Sequence, residues 1–236
     1  MAFSDPTSRL ILALDAPNIA DAERLVEATA GMVGVYKVGL ELAMAGGLEL
    51  ARRLASDGMH VFLDMKLLDI PNTVAGAVRG AGALGVRYLT VHAYPQALRA
   101  AASARPPGLQ IVAVTVLTSL DDKDLLETGY PSGMQDLTAS RIAAAARAGV
   151  QAIVCSPQEA GAARATGLTV ITPGVRLTED AAGDQKRVET PERAIAAGAD
   201  AVVVGRPINA AKDPREAAKR YVASIEAGLM ERSYAL

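Results

Sequence analysis

The stretch Val61-Phe-Leu-Asp64-Met-Lys66-Leu-Leu-Asp69-Ile-Pro-Asn-Thr73-Val-Ala-Gly-Ala-Val-Arg-Gly-Ala-Gly-Ala83 carries the two periods that decide the fold. Val61–Met65 is a short, mostly apolar run of strand length, whereas Thr73–Ala83 is Ala-rich with a helical period. A strand passing through a polar turn into a helix is one βα unit, and such units build parallel sheets.

The same alternation extends to both ends of the chain. Strands are expected at Leu10–Leu14, Val33–Val38, Val61–Met65, Tyr88–Val91, Ile111–Val116, Ala152–Val154, Thr169–Ile171 and Ala201–Val204. Helices are expected near Ile19–Thr29, Leu42–Ala55, Thr73–Ala83, Gln96–Ala104, Leu137–Ala148, Gln158–Ala165, Pro191–Ala197 and Pro214–Ala227. Gly149 and Gly198, each just before a strand, suit left-handed helix caps. Eight βα units in 236 residues predict a closed (β/α)8 TIM barrel, one domain over residues 1–236. An open doubly wound sheet would need a G-x-G-x-x-G turn after its first strand, and Leu14-Asp15-Ala-Pro-Asn18 offers none. Two connections, Thr118–Gln135 and Thr172–Thr190, have the length of functional lids or disordered segments.

Composition narrows the function classes. The chain is 50% apolar and 21% charged, the balance of a globular protein. A net charge of -2, two Phe and no Trp provide neither a phosphate-backbone footprint nor a stacking platform, so nucleic acid is not an expected partner. Cys155 stands alone and no Cys/His group has zinc-ligand spacing, which fits a reducing, cytoplasmic setting. The start Met1-Ala-Phe-Ser-Asp-Pro6 is not signal-like, and no apolar run is long enough to span a bilayer.

In such a barrel the active site lies at the C-terminal ends of the strands. The polar residues there are Asp15, Lys37, Asp64 with Lys66, His92, Thr115 with Thr118, Ser156, Thr172-Pro-Gly174 and Gly205-Arg206. Asp64 and Lys66 are two apart on a strand, so both side chains would enter the barrel mouth, where Lys37 could join them. A purely structural ion pair would have the same signature. The second cluster, Thr172-Pro-Gly174-Val-Arg176 with Gly205-Arg206, follows strands seven and eight, the usual phosphate site of these barrels. Glycines there expose N–H groups, and arginine adds a bidentate grip. His60, at the opposite end, is read as structural, Cys155 as a small buried hydrophobe, Asp121–Asp124 as a solvated helix start and Gly46-Gly47 as a weak turn.

Taken together, Leu12-Ala-Leu-Asp15, Lys37, Asp64–Thr73, Leu117-Thr118-Ser119, Thr172–Arg176, Gly183-Asp-Gln185-Lys-Arg187 and Gly205-Arg206 resemble the orotidine 5'-phosphate decarboxylases of bacterial type. D-x-K-x-x-D also occurs in related sugar-phosphate barrels; its extension to D-x-K-x-x-D-I-P-N-T is more specific. The resemblance implies decarboxylation of orotidine 5'-phosphate to uridine 5'-phosphate, the last step of UMP biosynthesis, with neither metal nor cofactor. It further implies that Lys66 delivers a proton to C6 of the pyrimidine, flanked by Asp64 and Asp69. Asp69, with Ile70 and Thr73, would complete the neighbouring site of a homodimer. By the same resemblance Asp15 and Lys37 contact the ribose, Thr118 the pyrimidine, and Arg176, Gln185, Gly205 and Arg206 the phosphate. Leu68 stands where many relatives carry His.

Two other readings share parts of this pattern. A Mg²⁺-dependent keto-sugar-phosphate decarboxylase or aldolase would share Asp64, Lys66 and Asp69, but would carry an acidic ligand at the end of the second strand, where this chain has Lys37-Val-Gly39. A barrel that only binds a phosphorylated ligand would not need Lys66 between two aspartates.

Overall fold

The computed structural model describes residues 3–178, 180 and 189–234. Among them, eight parallel strands close into a barrel in chain order, β1-β2-β3-β4-β5-β6-β7-β8. They are β1 Leu10–Ala13, β2 Val35–Val38, β3 His60–Leu67, β4 Tyr88–His92, β5 Gln110–Val114, β6 Ala152–Val154, β7 Thr169–Pro173 and β8 Ala201–Val204. The last strand pairs with the first, with Leu10 opposite Val202 and Leu12 opposite Val204.

The outer helices are α1 Ile19–Ala28, α2 Leu40–Leu42, α3 Leu48–Ser56, α4 Pro71–Ala83, α5 Pro95–Ala104, α6 Asp122–Glu127, α7 Met134–Ala148, α8 Ala160–Arg164, α9 Pro191–Ala196, α10 Arg206–Asn209 and α11 Pro214–Tyr234. Local chemistry sets their ends. The Asn18 side chain accepts from Asp21 N–H to start α1, and Asp121 and Asp124 form a reciprocal capping box on α6. Gly149, at φ +71°, ends α7 in the left-handed conformation that the sequence predicts.

Among the departures from expectation, α10 is new, α11 runs on to Tyr234, and three segments divide differently. The helix expected over Leu42–Ala55 is broken: a π-turn over Ala43–Gly47, with Gly46 at φ +94°, separates α2 from α3. Thr118–Gln135 is not a bare loop, since α6 lies inside it. Gln158–Ala165 divides into a 3₁₀ turn at Pro157–Glu159 followed by α8.

Two apolar layers hold the barrel. Leu12, Leu63, Leu89, Val170 and Val202 face outward against α1, α4, α5 and α11, contributing to the larger core. The alternate residues Ile11, Val35, Phe62, Tyr88, Val112, Ala152, Ile171 and Ala201 fill the barrel axis, and Phe3 stacks on Tyr88 at 6.1 Å near its lower end. Phe62 is 1% exposed; burying such a side chain stabilises by about 1.5–3 kcal/mol, and truncation to Ala costs about 3–5 kcal/mol. This plug forces whatever follows at the same inward parity to lie above it, at the mouth.

Candidate active site

Inward parity carries the chain directly from plug to polar groups: Ile11 and Ala13 are followed by Asp15, Val35 by Lys37, Phe62 by Asp64, and Ala201 and Val203 by Gly205. Asp15, Lys37, Asp64 and Gly205 line a cavity of about 600 Å³ with Glu41, Lys66, Leu117, Thr118, Ser119, Arg176 and Arg206. A second cavity, about 770 Å³, lies beside α7 and is lined by Asp121, Asp122 and Glu159 but by no Lys or Arg. It is the larger of the two, yet its charge is wrong for a phosphate, so the barrel mouth is the candidate site.

Charges alternate across the mouth. Asp15 Oδ1 lies 3.6 Å from Lys37 Nζ, Lys37 Nζ lies 3.2 Å from Asp64 Oδ2, and Lys66 Nζ lies 2.8 Å from Asp64 Oδ1. At about 3 Å and an effective dielectric near 20, each close pair contributes roughly 5 kcal/mol before desolvation. Asp64 shows which effect wins. Burial pushes its carboxyl up, but the ammonium groups of Lys37 and Lys66 outweigh burial and hold it below the ordinary carboxylate range. Lys37 is 8% exposed, whereas Lys66 keeps 30% of its side chain open toward the cavity.

The meeting of Asp64 and Lys66 does not come from a regular strand. Leu63 pairs with Leu89 but Leu67 pairs with Val91, so two extra residues of β3 bulge out between them. Within the bulge Lys66 adopts φ +49°, the one positive φ outside glycine among the described residues. Left-handed backbone costs a residue with a Cβ about 1–2 kcal/mol, and such strain persists where the surroundings enforce it. The expectation that both side chains enter the mouth holds, but the straight-strand geometry behind it is corrected.

The phosphate-type cluster is also present. Arg176 is 8% exposed and donates to Val175 O at 2.8 Å, while Arg176 N–H donates to Glu189 O at 3.0 Å. Just beyond it, Asp180 accepts from Tyr221 Oη at 2.5 Å and from Leu177 N–H at 3.1 Å, fixing this segment on α11. Gly205 lies so close to β1 that a Cβ there would be 3.0 Å from Asp15 Oδ2. Arg206 is exposed and begins α10, which spans only Arg206–Asn209. At this end the cavity is lined by the Arg176 and Arg206 side chains together with Gly174 and Gly205.

The remaining expected residues fall elsewhere. Asp69, Ile70 and Thr73 are exposed and do not line the cavity of their own chain; Asp69 Oδ1 accepts its neighbour's Ile70 N–H at 2.6 Å. Gln185 lies outside the described residues. His92 has a buried Nδ1 with no hydrogen-bond partner, and it packs edge-on to Tyr94 at 6.5 Å. Burial, then the charges of Arg141 and Lys66, lower its pKa below the usual imidazole value. Sequence reasoning passed over Thr90 on β4, whose hydroxyl lies between the backbone of Lys66 and Asp64. Its inward parity, two residues after the plug residue Tyr88, was the available signal.

Residues 8–221 match the model of the Orotidine 5'-phosphate decarboxylase / HUMPS family. The chain is 55% identical over 227 residues to an orotidine 5'-phosphate decarboxylase of Methylorubrum populi, covering 94% of this chain and 97% of that protein. It is 53% identical over 226 residues to one of Afipia carboxidovorans, covering 94% and 96%. In structure it resembles the orotidine 5'-phosphate decarboxylase from Lactobacillus acidophilus, with a TM-score of 0.80, 30% identity and coverage of 92% of this chain and 99% of that one.

Proposed function

Because the chain belongs to the Orotidine 5'-phosphate decarboxylase / HUMPS family, we propose how its barrel mouth divides the work of that chemistry. The protein is a carboxy-lyase that converts orotidine 5'-phosphate to uridine 5'-phosphate and carbon dioxide, closing de novo UMP biosynthesis. In our reading, the bond from C6 to the carboxylate breaks, carbon dioxide leaves, and the electron pair stays at C6. The Lys66 ammonium stabilises that charge and transfers its proton to C6. The observation carrying this assignment is Lys66 Nζ held 2.8 Å from Asp64 in a cavity that also presents two arginines.

Asp64 holds the Lys66 ammonium in place by an ion pair, and Lys37 helps to keep Asp64 ionised against burial. Lys37 and Asp15 receive the ribose hydroxyls, and Thr118 meets the pyrimidine. Arg176, Arg206, the Gly205 backbone and Gln185 receive the phosphate. Binding energy from that remote group then helps to align C6 with Lys66.

We further propose a cytoplasmic homodimer of single-domain chains. Leu40, Met44 and Leu48 after β2, and Leu68 and Ile70 after β3, are 43–87% exposed. So much apolar surface beside Asp69 and Thr73 supports a covered face, and the resemblance supplies the reading that Asp69, Ile70 and Thr73 complete the partner's site. No helix of the described residues is long and apolar enough to cross a membrane.

The deciding experiment follows the absorbance of orotidine 5'-phosphate under excess chelator, for the parent and for Lys66→Ala. Turnover by the parent and its loss in the variant are expected; full turnover by the variant would remove Lys66 from the proposed role.

A further inference from the structure

We infer that Thr90 is a positioning residue that sets Lys66 and Asp64 against each other for proton delivery. This rests on Lys66 being the proton donor. The bulge in β3 lifts Lys66 out of the regular ladder with β4, so its backbone N–H needs another acceptor. Thr90 Oγ1 accepts it at 2.7 Å. That hydroxyl then directs its own proton to Asp64 Oδ1, 3.1 Å away. One side chain thus uses acceptor and donor on the two halves of the ion pair.

The consequence is a closed set of contacts. Asp64 Oδ1 receives Lys66 Nζ and Thr90 Oγ1, while Oδ2 faces Lys37 Nζ. The carboxylate therefore has little freedom to rotate. Lys66 is held at both ends, its backbone by Thr90 and its ammonium by Asp64. Thr90 is 0% exposed and does not line the cavity, so it acts on the reaction only through these two residues. Nothing about its own position would otherwise require a hydroxyl, since valine has nearly the same shape and suits a strand equally well.

The test compares Thr90→Val, Thr90→Ser and Lys66→Ala with the parent, measuring kcat and KM for orotidine 5'-phosphate, affinity for uridine 5'-phosphate, and the pH dependence of kcat/KM. Thr90→Val should lower kcat roughly 10- to 100-fold, the range set by a hydrogen bond to a charged group, with KM and product affinity within about threefold. Losing a donor to its charged form should also move the acid limb of kcat/KM to higher pH. Thr90→Ser, which keeps the hydroxyl, should restore most of kcat. If Thr90→Val does not fold, Thr90→Ala against Thr90→Ser makes the same comparison. A kcat for the hydroxyl-free variant within twofold of the parent, or no advantage of Ser, would overturn the inference. Should Lys66→Ala turn over normally, the failure would instead lie with the assignment of Lys66.

Discussion

The Lys66 ammonium meets Asp64 at 2.8 Å from a backbone standing at φ +49°, so the central ion pair is mounted on a conformation that favours glycine. In an ordinary strand alanine is more stable than glycine; at this position the order should reverse. Lys66→Gly should be more stable than Lys66→Ala by about 1 kcal/mol, because only glycine relieves the left-handed strain. Urea denaturation of the two variants measures the difference, and alanine coming out ahead would show that the bulge relaxes once the lysine is gone.

The proposed sharing of the site between two subunits makes a separate prediction. Lys66→Ala and Asp69→Ala proteins should each be nearly inactive, yet regain activity when their subunits are mixed and allowed to exchange. With random pairing, half of the dimers are mixed and each has one intact site, giving roughly a quarter of parental activity. No recovery after verified exchange would place Asp69 outside the partner's site.

For the phosphate end, Arg206→Ala should lower kcat/KM on orotidine 5'-phosphate by roughly 10- to 100-fold, the worth of a charge-assisted hydrogen bond. Added guanidinium should return part of the loss. On orotidine, which lacks the phosphate, the same substitution should have little effect. Equal losses on the two substrates would mean that Arg206 acts on something other than the phosphate.

His92 gives a pH test with a definite sign. Its folded pKa is lowered, chiefly by burial, so the unfolded chain binds a proton more readily than the folded one. Its stabilising contribution is therefore intact above about pH 6.5, the ordinary imidazole value, and declines as the pH falls from there toward the lowered folded value. His92→Asn should flatten the fall in unfolding free energy between roughly pH 7.5 and 5.5. An unchanged slope would mean that His92 is protonated in the folded protein over this range.

The barrel was legible because its strands are short, β-branched and separated by Ala-rich helices, and because each strand puts alternate residues on one face. Position at the strand ends located Asp15, Lys37, Asp64 and Gly205, which continue the inward parity of the plug, and alternation entered only for Asp64 with Lys66. It placed Lys66 in the mouth for an incomplete reason, since periodicity cannot register a two-residue bulge. Thr90 was missed because threonine is common in strands and its value here depends on what β3 does beside it. The break at Gly46 was likewise visible only as a weak turn, and nothing in Gly205-Arg206 revealed that the helix beyond it is a single turn. Asp69 differs in kind: within its own chain it is exposed, so intrachain geometry assigns it no role in the cavity and only the motif does so.

The seam between β1 and β8 fixes when the site can exist. Asn209 Nδ2 donates to Ala13 O at 2.8 Å across 196 residues of sequence, and Gly205 lies against Asp15 at the same junction. The proposed ribose and phosphate ends therefore share an edge that is assembled from the first and last strands of the barrel. A nascent chain can stack its early βα units, but the substrate pocket stays open on one side until β8 has been synthesised and docked. Substrate can thus favour the closed ring only after β8 has docked, acting on the final step of barrel assembly rather than on its beginning.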